Sequence, residues 1–170
     1  MEYNDILCYN REVDTMELYD EILGKFISDG NNFFGNIEIN GNQTELIFKV
    51  ITDEQNTVDR AITNGRKFIS EFEKWDKAMR EYAAKKLTAN ANDWLADSLE
   101  DEDENAEFEE ITEEDFAKRL ILDTIIIYGT VYDEENKFTA YYGDDDMFWG
   151  HSIEIMGSFE NGINFAAICG

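Results

Sequence analysis

The chain has 170 residues, of which 43% are hydrophobic and 14% aromatic, enough for one globular domain with a sizeable core. With 39 acids against 14 bases its formal net charge is −25. Such a charge opposes nucleic acid and anionic membranes, whose recognition depends on Lys and Arg, and it speeds encounters with basic proteins. An acidic host proteome would give the same charge with no partner at all.

Two cysteines, Cys8 and Cys169, do not make a disulfide framework. The start Met1-Glu2-Tyr3-Asn4-Asp5 lacks a basic n-region and a long apolar run, and no stretch approaches the ~18 apolar residues of a membrane span. A cytoplasmic protein is the expectation. With no proline anywhere, turns fall to Gly, Asn and Asp, as in Asp29-Gly30-Asn31-Asn32, Asn40-Gly41-Asn42 and Asn161-Gly162.

Residues 1–20 read as an N-terminal lead-in to a single domain over residues 21–170. The segment Met16 to Leu23 reads as a short helix or as part of that lead-in. Residues 23–51 then read as a strand meander. Leu23 to Ser28 is short and apolar. Phe33, Ile37 and Ile39 share a face with Gly35, Asn40-Gly41 turns the chain, and Leu46, Phe48 and Val50 return opposite Glu45 and Lys49.

From residue 53 to 88 the period changes to three and four. Val58, Ala61, Ile62, Gly65, Phe68, Ile69, Phe72, Trp75, Met79, Tyr82, Ala83 and Leu87 trace one apolar stripe of a long amphipathic helix. Thr52, Asp53, Asn56 and Thr57 offer N-cap oxygens near its start. At ~1.5 Å per residue it would run nearly 50 Å, longer than a small domain, so a bend near residues 78–90 is expected. Asn90 to Leu95 reads as a turn carrying an anchored aromatic, Trp94. The helix holds Arg60, Arg66, Lys67, Lys74, Lys77, Arg80, Lys85 and Lys86, eight of the chain's 14 bases. The negative charge therefore lies elsewhere.

It concentrates in residues 97–115, a run of Asp and Glu with no base between them. Like charges at this density resist compaction, so part of this run, which includes an acidic insertion at 97–111, is expected to be a mobile loop. Thr112 and Asp115 then mark a helix start leading into Phe116 and Leu120. Beyond it Ile121 to Tyr128, Lys137 to Tyr142, Ser152 to Met156 and Ile163 to Ile168 read as strands joined by short turns, which implies antiparallel pairing.

Between two of these strands lies Gly143-Asp144-Asp145-Asp146-Met147-Phe148-Trp149-Gly150-His151. Three successive carboxylates, two large aromatics and the only histidine share this loop, and loops on a rigid scaffold carry function more often than core elements do. Asp144, Asp145, Asp146 and His151 are the one metal constellation the sequence offers, in donor types that suit several divalent ions. Against it, Asp side chains ordinarily cap turn amides and a strand-end histidine ordinarily bonds a neighbour. Neighbouring Phe148 and Trp149 point to opposite faces if the backbone is extended, so one is expected in the core and the other exposed, where a Trp among carboxylates makes a binding hot spot.

Covalent catalysis finds little support. Neither cysteine is marked as a partner of His151, and no phosphate-cradling glycine motif or zinc spacing occurs, so no cofactor is expected. Paired carboxylates are too abundant to inform.

Leu23-Gly24-Lys25-Phe26, Phe34-Gly35-Asn36-Ile37, Trp75, Trp94, Phe116, Phe148-Trp149-Gly150-His151 and the terminal Gly170 together resemble a bacterial family catalogued as domain of unknown function 2262. The resemblance covers roughly residues 17–170 and implies no particular activity. Small acidic proteins of this kind also resemble immunity proteins of bacterial toxin systems, by composition and not by matched residues.

The expected fold is α+β. An antiparallel sheet from residues 23–51 and 121–168 packs one face against a long amphipathic helix and shorter helices, with Phe68, Phe72, Trp75 and Met79 in the interface. The expected function is non-enzymatic binding of a basic protein, such as a toxin or nuclease, through Asp144, Asp145, Asp146, Phe148, Trp149 and His151. The alternatives are a metal-dependent hydrolase or metal-binding module on the same loop, and a mimic of DNA.

Overall fold

A computed structural model describes residues 8–10, 15–51, 53–102, 108–130 and 137–170. Nine strands in these residues form one sheet: β1 (Cys8–Asn10), β2 (Thr15–Asp20), β3 (Gly24–Ser28), β4 (Asn32–Ile39), β5 (Asn42–Lys49), β6 (Ile121–Tyr128), β7 (Lys137–Gly143), β8 (Ser152–Ser158) and β9 (Gly162–Cys169). Their order across the sheet is their order in the chain. Three helices, α1 (Gln55–Ser70), α2 (Phe72–Glu102) and α3 (Glu113–Arg119), lie between β5 and β6. The class is α+β. Among the described residues no helix is long and apolar enough to cross a membrane.

Every neighbouring pair is antiparallel except β5 and β6, which run parallel. The expectation of a wholly antiparallel sheet is corrected at this seam. Parallel strands need a long crossover, and the helical excursion between Lys49 and Ile121 is that crossover. The segment Met16 to Leu23, read as a short helix or lead-in, is strand β2 followed by a turn. Its period is two: Leu18 and Asp20 are buried and Tyr19 is exposed.

Alternation builds the core face. One row across the sheet joins Phe33, Phe48, Ile127 and Phe138, and the next joins Phe26, Gly35, Leu46, Ile125, Ala140 and Ile155. Gly35 belongs there because the Phe26 ring, stacked on Phe48 at 4.5 Å, fills the space a Cβ would take. Asn40 (φ 52°) and Gly41 (φ 81°) supply the two positive-φ positions of the β4–β5 hairpin, as the Asn-Gly pair predicts.

The apolar stripe is split between two helices, with the break at Glu71 and not near residues 78–90. The Glu71 amide donates to the carbonyls of Lys67 (3.1 Å) and Phe68 (3.2 Å), closing α1, and its own carbonyl accepts the amides of Lys74 and Trp75, opening α2. α1 packs on β5 and β6, and α2 on β8 and β9, so the bend lets the stripe follow the twisted sheet. Val58, Ala61, Ile62, Phe68, Phe72, Trp75, Met79, Ala83 and Leu87 are all buried. Trp75 meets Phe138 edge-on at 5.0 Å and Phe159 at 5.5 Å.

Helix α2 then continues straight through Asn90 to Leu95, where a turn was expected, and into the acidic run as far as Glu102. Tertiary contacts override the local turn signal. Asn92 clasps Ile111, with its Oδ1 accepting the Ile111 amide at 2.9 Å and its Nδ2 donating to the Ile111 carbonyl at 3.1 Å. Residues 103–107 of the expected acidic loop lie outside the described residues, as do Thr52 and the turn at residues 133–136. The start of α3 is as read: Thr112 Oγ1 accepts the Asp115 amide and the Asp115 carboxylate accepts the Thr112 amide.

A buried ion pair ties β2 to α1. Asp20, 1% exposed, accepts the amides of Ile22 (2.9 Å) and Leu23 (2.8 Å) on one oxygen and the Arg66 guanidinium on the other. Burial alone would raise its pKa. The bonds from Arg66, Leu23 and Ile22 outweigh that and hold the carboxyl below the usual carboxylate range.

Candidate functional site

The loop between β7 and β8 is held by its own first carboxylate. Asp144, 4% exposed, accepts the amide of Asp146 at 3.2 Å and that of Phe148 at 2.5 Å. The Asp144 carbonyl accepts the Met147 amide at 3.1 Å. Met147 and Phe148 plug wholly into the core. The remaining residues adopt rare backbone conformations: Asp145 (φ 49°), Asp146 (φ 58°) and Trp149 (φ 56°) are left-handed. Such outliers persist only where the surroundings over-determine them.

The surroundings do so here. Phe148 lies edge-on to Trp94 at 5.5 Å and to Phe116 at 6.2 Å. The Trp149 indole N–H donates to Ser98 Oγ at 2.5 Å, and its ring leans on Trp94 at 4.8 Å. Arg119 of α3 grips Asp145 twice, Nε to the carboxylate at 3.0 Å and Nη2 to the carbonyl at 2.8 Å. His151 Nδ1 donates to the Phe148 carbonyl at 2.7 Å, with the ring 5.5 Å from Trp94.

Held this way, Trp149 stays 58% exposed. It borders, through Ser98, a groove of about 310 Å³ lined by Leu95, Leu99, Phe108 and Ile111, with Glu109 and Arg119 at its edge. Asp145 and Asp146 stand exposed beside it. The geometry therefore offers a flat aromatic surface, an apolar slot and an acidic margin.

The loop's metal donors do not converge. Asp144 is spent on backbone amides, Asp145 on Arg119 and the His151 Nδ1 on a carbonyl. Among the described residues no three His, Cys, Asp or Glu side chains are grouped to hold an ion. Cys169 is not in a disulfide. Its Sγ donates to the Ser152 carbonyl at 3.4 Å, and burial together with the charge of Glu154 pushes its pKa up, away from a reactive thiolate.

A second polar cluster lies between α2 and the sheet. Tyr142, fully buried, donates to Asp76 Oδ1 at 2.7 Å, and Arg80 Nε donates to Asp76 Oδ2 at 2.8 Å. Arg80 Nη1 caps the end of α3 through the carbonyls of Ala117 (2.9 Å) and Leu120 (2.6 Å). Burial and the Asp76 carboxylate push the Tyr142 pKa far up, so the phenol stays protonated and serves as a fixed donor. Its fixed partners make this cluster a pin that sets α3, and hence Arg119, against the loop.

Of the candidate residues, the structure gathers Asp145, Asp146 and Trp149 on the surface and turns Asp144, Phe148 and His151 to holding them there. Ser98, Arg119 and the groove residues were not foreseen. The i, i+4 spacing of Trp94 with Ser98 and of Leu95 with Leu99 was the available signal, hidden because a turn was expected there.

Residues 20–168 match a family described as an uncharacterized protein conserved in bacteria (DUF2262). No curated protein and no solved structure matches the chain. With all but the two ends covered, the chain belongs to the DUF2262 family.

Proposed function

We propose that the protein is a non-enzymatic binding module that captures a basic protein partner, with Trp149 at the centre of the contact. The observation that carries this reading is the exposed Trp149. It is kept in a left-handed conformation by its bond to Ser98 and its contact with Trp94, beside an apolar groove and among exposed carboxylates. One ring contact and one surface hydrogen bond hold it there in a costly backbone conformation while more than half of its surface stays open. Fixed aromatics of this kind are the residues that dominate interfaces. The charge of −25 supplies steering toward a cation-rich surface. Neutralising a basic toxin or nuclease in the manner of an immunity protein is the form of this function that the charge favours.

The test is affinity capture from host lysate at low and high ionic strength, with wild type and W149A in parallel, followed by titration of the captured protein. The expected result is a basic protein retained at low salt and released by added salt, bound at least tenfold more weakly by W149A, as loss of a central Trp anchor implies. Capture that yields no basic protein, or one that W149A binds equally well, would refute the proposal.

A further inference from the structure

The helices cover one face of the sheet. On the other face the register aligns a single row across seven strands: Ile27, Phe34, Ile47, Ile126, Thr139, Met156 and Phe165. Ile27 is 47% and Phe165 40% exposed at the ends of the row, Phe34, Ile47 and Met156 are half-buried, Ile126 and Thr139 at its centre are buried, and Tyr19 stands out on β2 near Ile27. Among the described residues no helix lies over this row.

The charge of this face differs from that of the molecule. Alternation places Glu17, Glu38, Glu45 and Glu154 on it against Lys25, Lys49 and Lys137, with Asp123 on a bulge at its margin. Glu17 and Lys25 are paired at 2.7 Å, and Glu154 accepts the Tyr141 hydroxyl at 2.6 Å. Among the described residues, a chain of net charge −25 thus keeps one broad face close to neutral. A basic partner finds little to attract it there, and nucleic acid finds too few cations. A second copy, repelled by the acidic parts of the surface, meets little charge on this face.

The size fits as well. From β2 to β9 there are seven spacings of ~4.8 Å, and strands of about seven residues at ~3.4 Å, giving a face of roughly 34 by 24 Å, or about 800 Å². That is about the area each partner gives to a standard interface, ~800 Å². A hollow of about 410 Å³ between Tyr128, Thr139, Met156 and Asn164 leaves room for a side chain projecting from a facing sheet.

We infer that the face of the sheet opposite the helices is a self-association surface, on which two copies pack sheet to sheet about a two-fold axis through the Ile27-to-Phe165 row. Two inner faces would then interdigitate ~10 Å apart, as in a sandwich. Because the two copies repel at long range and join through apolar contact, the dimer should tighten as salt screens the repulsion.

Sedimentation and light scattering of the full chain test this, comparing wild type with I27K, F165K and the double variant at low and moderate salt. The expected result is a wild-type dimer that tightens with salt. Each single change, made at an exposed position outside the core, should weaken dimerisation at least about tenfold, and the double variant should be a folded monomer. A wild-type monomer at every concentration and salt overturns the inference. A dimer that survives both changes also overturns it. A dimer lost with F165K and kept with I27K assigns the contact to the β9 edge and overturns the face-to-face arrangement.

Discussion

Phe148 and Trp149 are adjacent aromatics with opposite duties, and truncating each in turn separates them. Phe148 is wholly buried, against Trp94 and Phe116, and its amide is held by Asp144. Phe148→Ala leaves a ring-sized void where three elements meet, so it should cost about 4 kcal/mol, inside the 3–5 kcal/mol range for Phe to Ala in a core. Trp149 is 58% exposed and contributes one ring contact and one surface hydrogen bond. Aromatic contacts add ~0.5–1.5 kcal/mol and a typical hydrogen bond ~0.5–1.5 kcal/mol, so Trp149→Ala should cost about 1–2 kcal/mol. Trp149→Gly should recover about 1 kcal/mol of that, because glycine adopts φ 56° without the left-handed penalty. Urea unfolding of the three variants, compared at constant m, measures the differences. Partner capture should rank them the other way, with both Trp149 variants defective. If Trp149→Ala costs as much as Phe148→Ala, or glycine gives no recovery over alanine, then the loop is not a strained platform for an exposed anchor.

Trp75→Ala should lower stability by about 3–5 kcal/mol by the same large-to-small rule, since the ring is 4% exposed between Phe138 and Phe159. A loss below 1 kcal/mol in chemical denaturation would place the helix stripe wrongly. Asp20 has a depressed pKa in the fold, so its contribution is fully present above the unfolded carboxylate value of ~3.9 and fades as pH falls through the lower folded value. Asp20→Asn should therefore cost about 3 kcal/mol at pH 7, the low end for breaking a buried ion pair, because the Arg66 side chain is 25% exposed. The difference between variant and wild type should narrow below about pH 4. A gap that stays constant with pH would contradict the ion-pair assignment.

Period carried most of the fold. Alternation at Leu46-Phe48-Val50 and at Phe138-Ala140-Tyr142, and the three-four stripe from Val58 to Leu87, mark faces that are buried as read. The Thr112–Asp115 box was legible because a helix N-terminus is a local event. What escaped was settled by contacts distant in sequence. The helix break at Glu71 answers the twist of a sheet whose strands lie far away in the chain. The helix through Asn90 to Leu95 depends on Asn92 reaching Ile111 and on Trp94 reaching Phe148. Strand β2 was obscured because its buried acid, Asp20, reads as a surface residue until Arg66 is found beside it. The Asp-Asp-Asp run illustrates the same limit within the site. Three identical side chains in a row serve as an amide cap, a partner for Arg119 and an exposed carboxylate, and no local rule distinguishes them.

The single parallel joint, between β5 and β6, has a consequence for how the molecule assembles. On either side of it the sheet is a string of hairpins that can zip from their turns within microseconds. The joint cannot begin that way, since its strands are separated by the whole stretch from Lys49 to Ile121. Closing a loop of roughly 70 residues costs about 4 kcal/mol of chain entropy beyond a constant, so nothing local rewards the first contact. The two meanders should therefore form early as separate halves, and docking of the helices onto both should set the folding rate. Until then each half shows an unpaired strand edge to the solvent, one bounded by Leu46 and Phe48 and the other by Ile125 and Ile127, which is the moment at which this otherwise strongly self-repelling chain is most exposed to pairing with the wrong molecule.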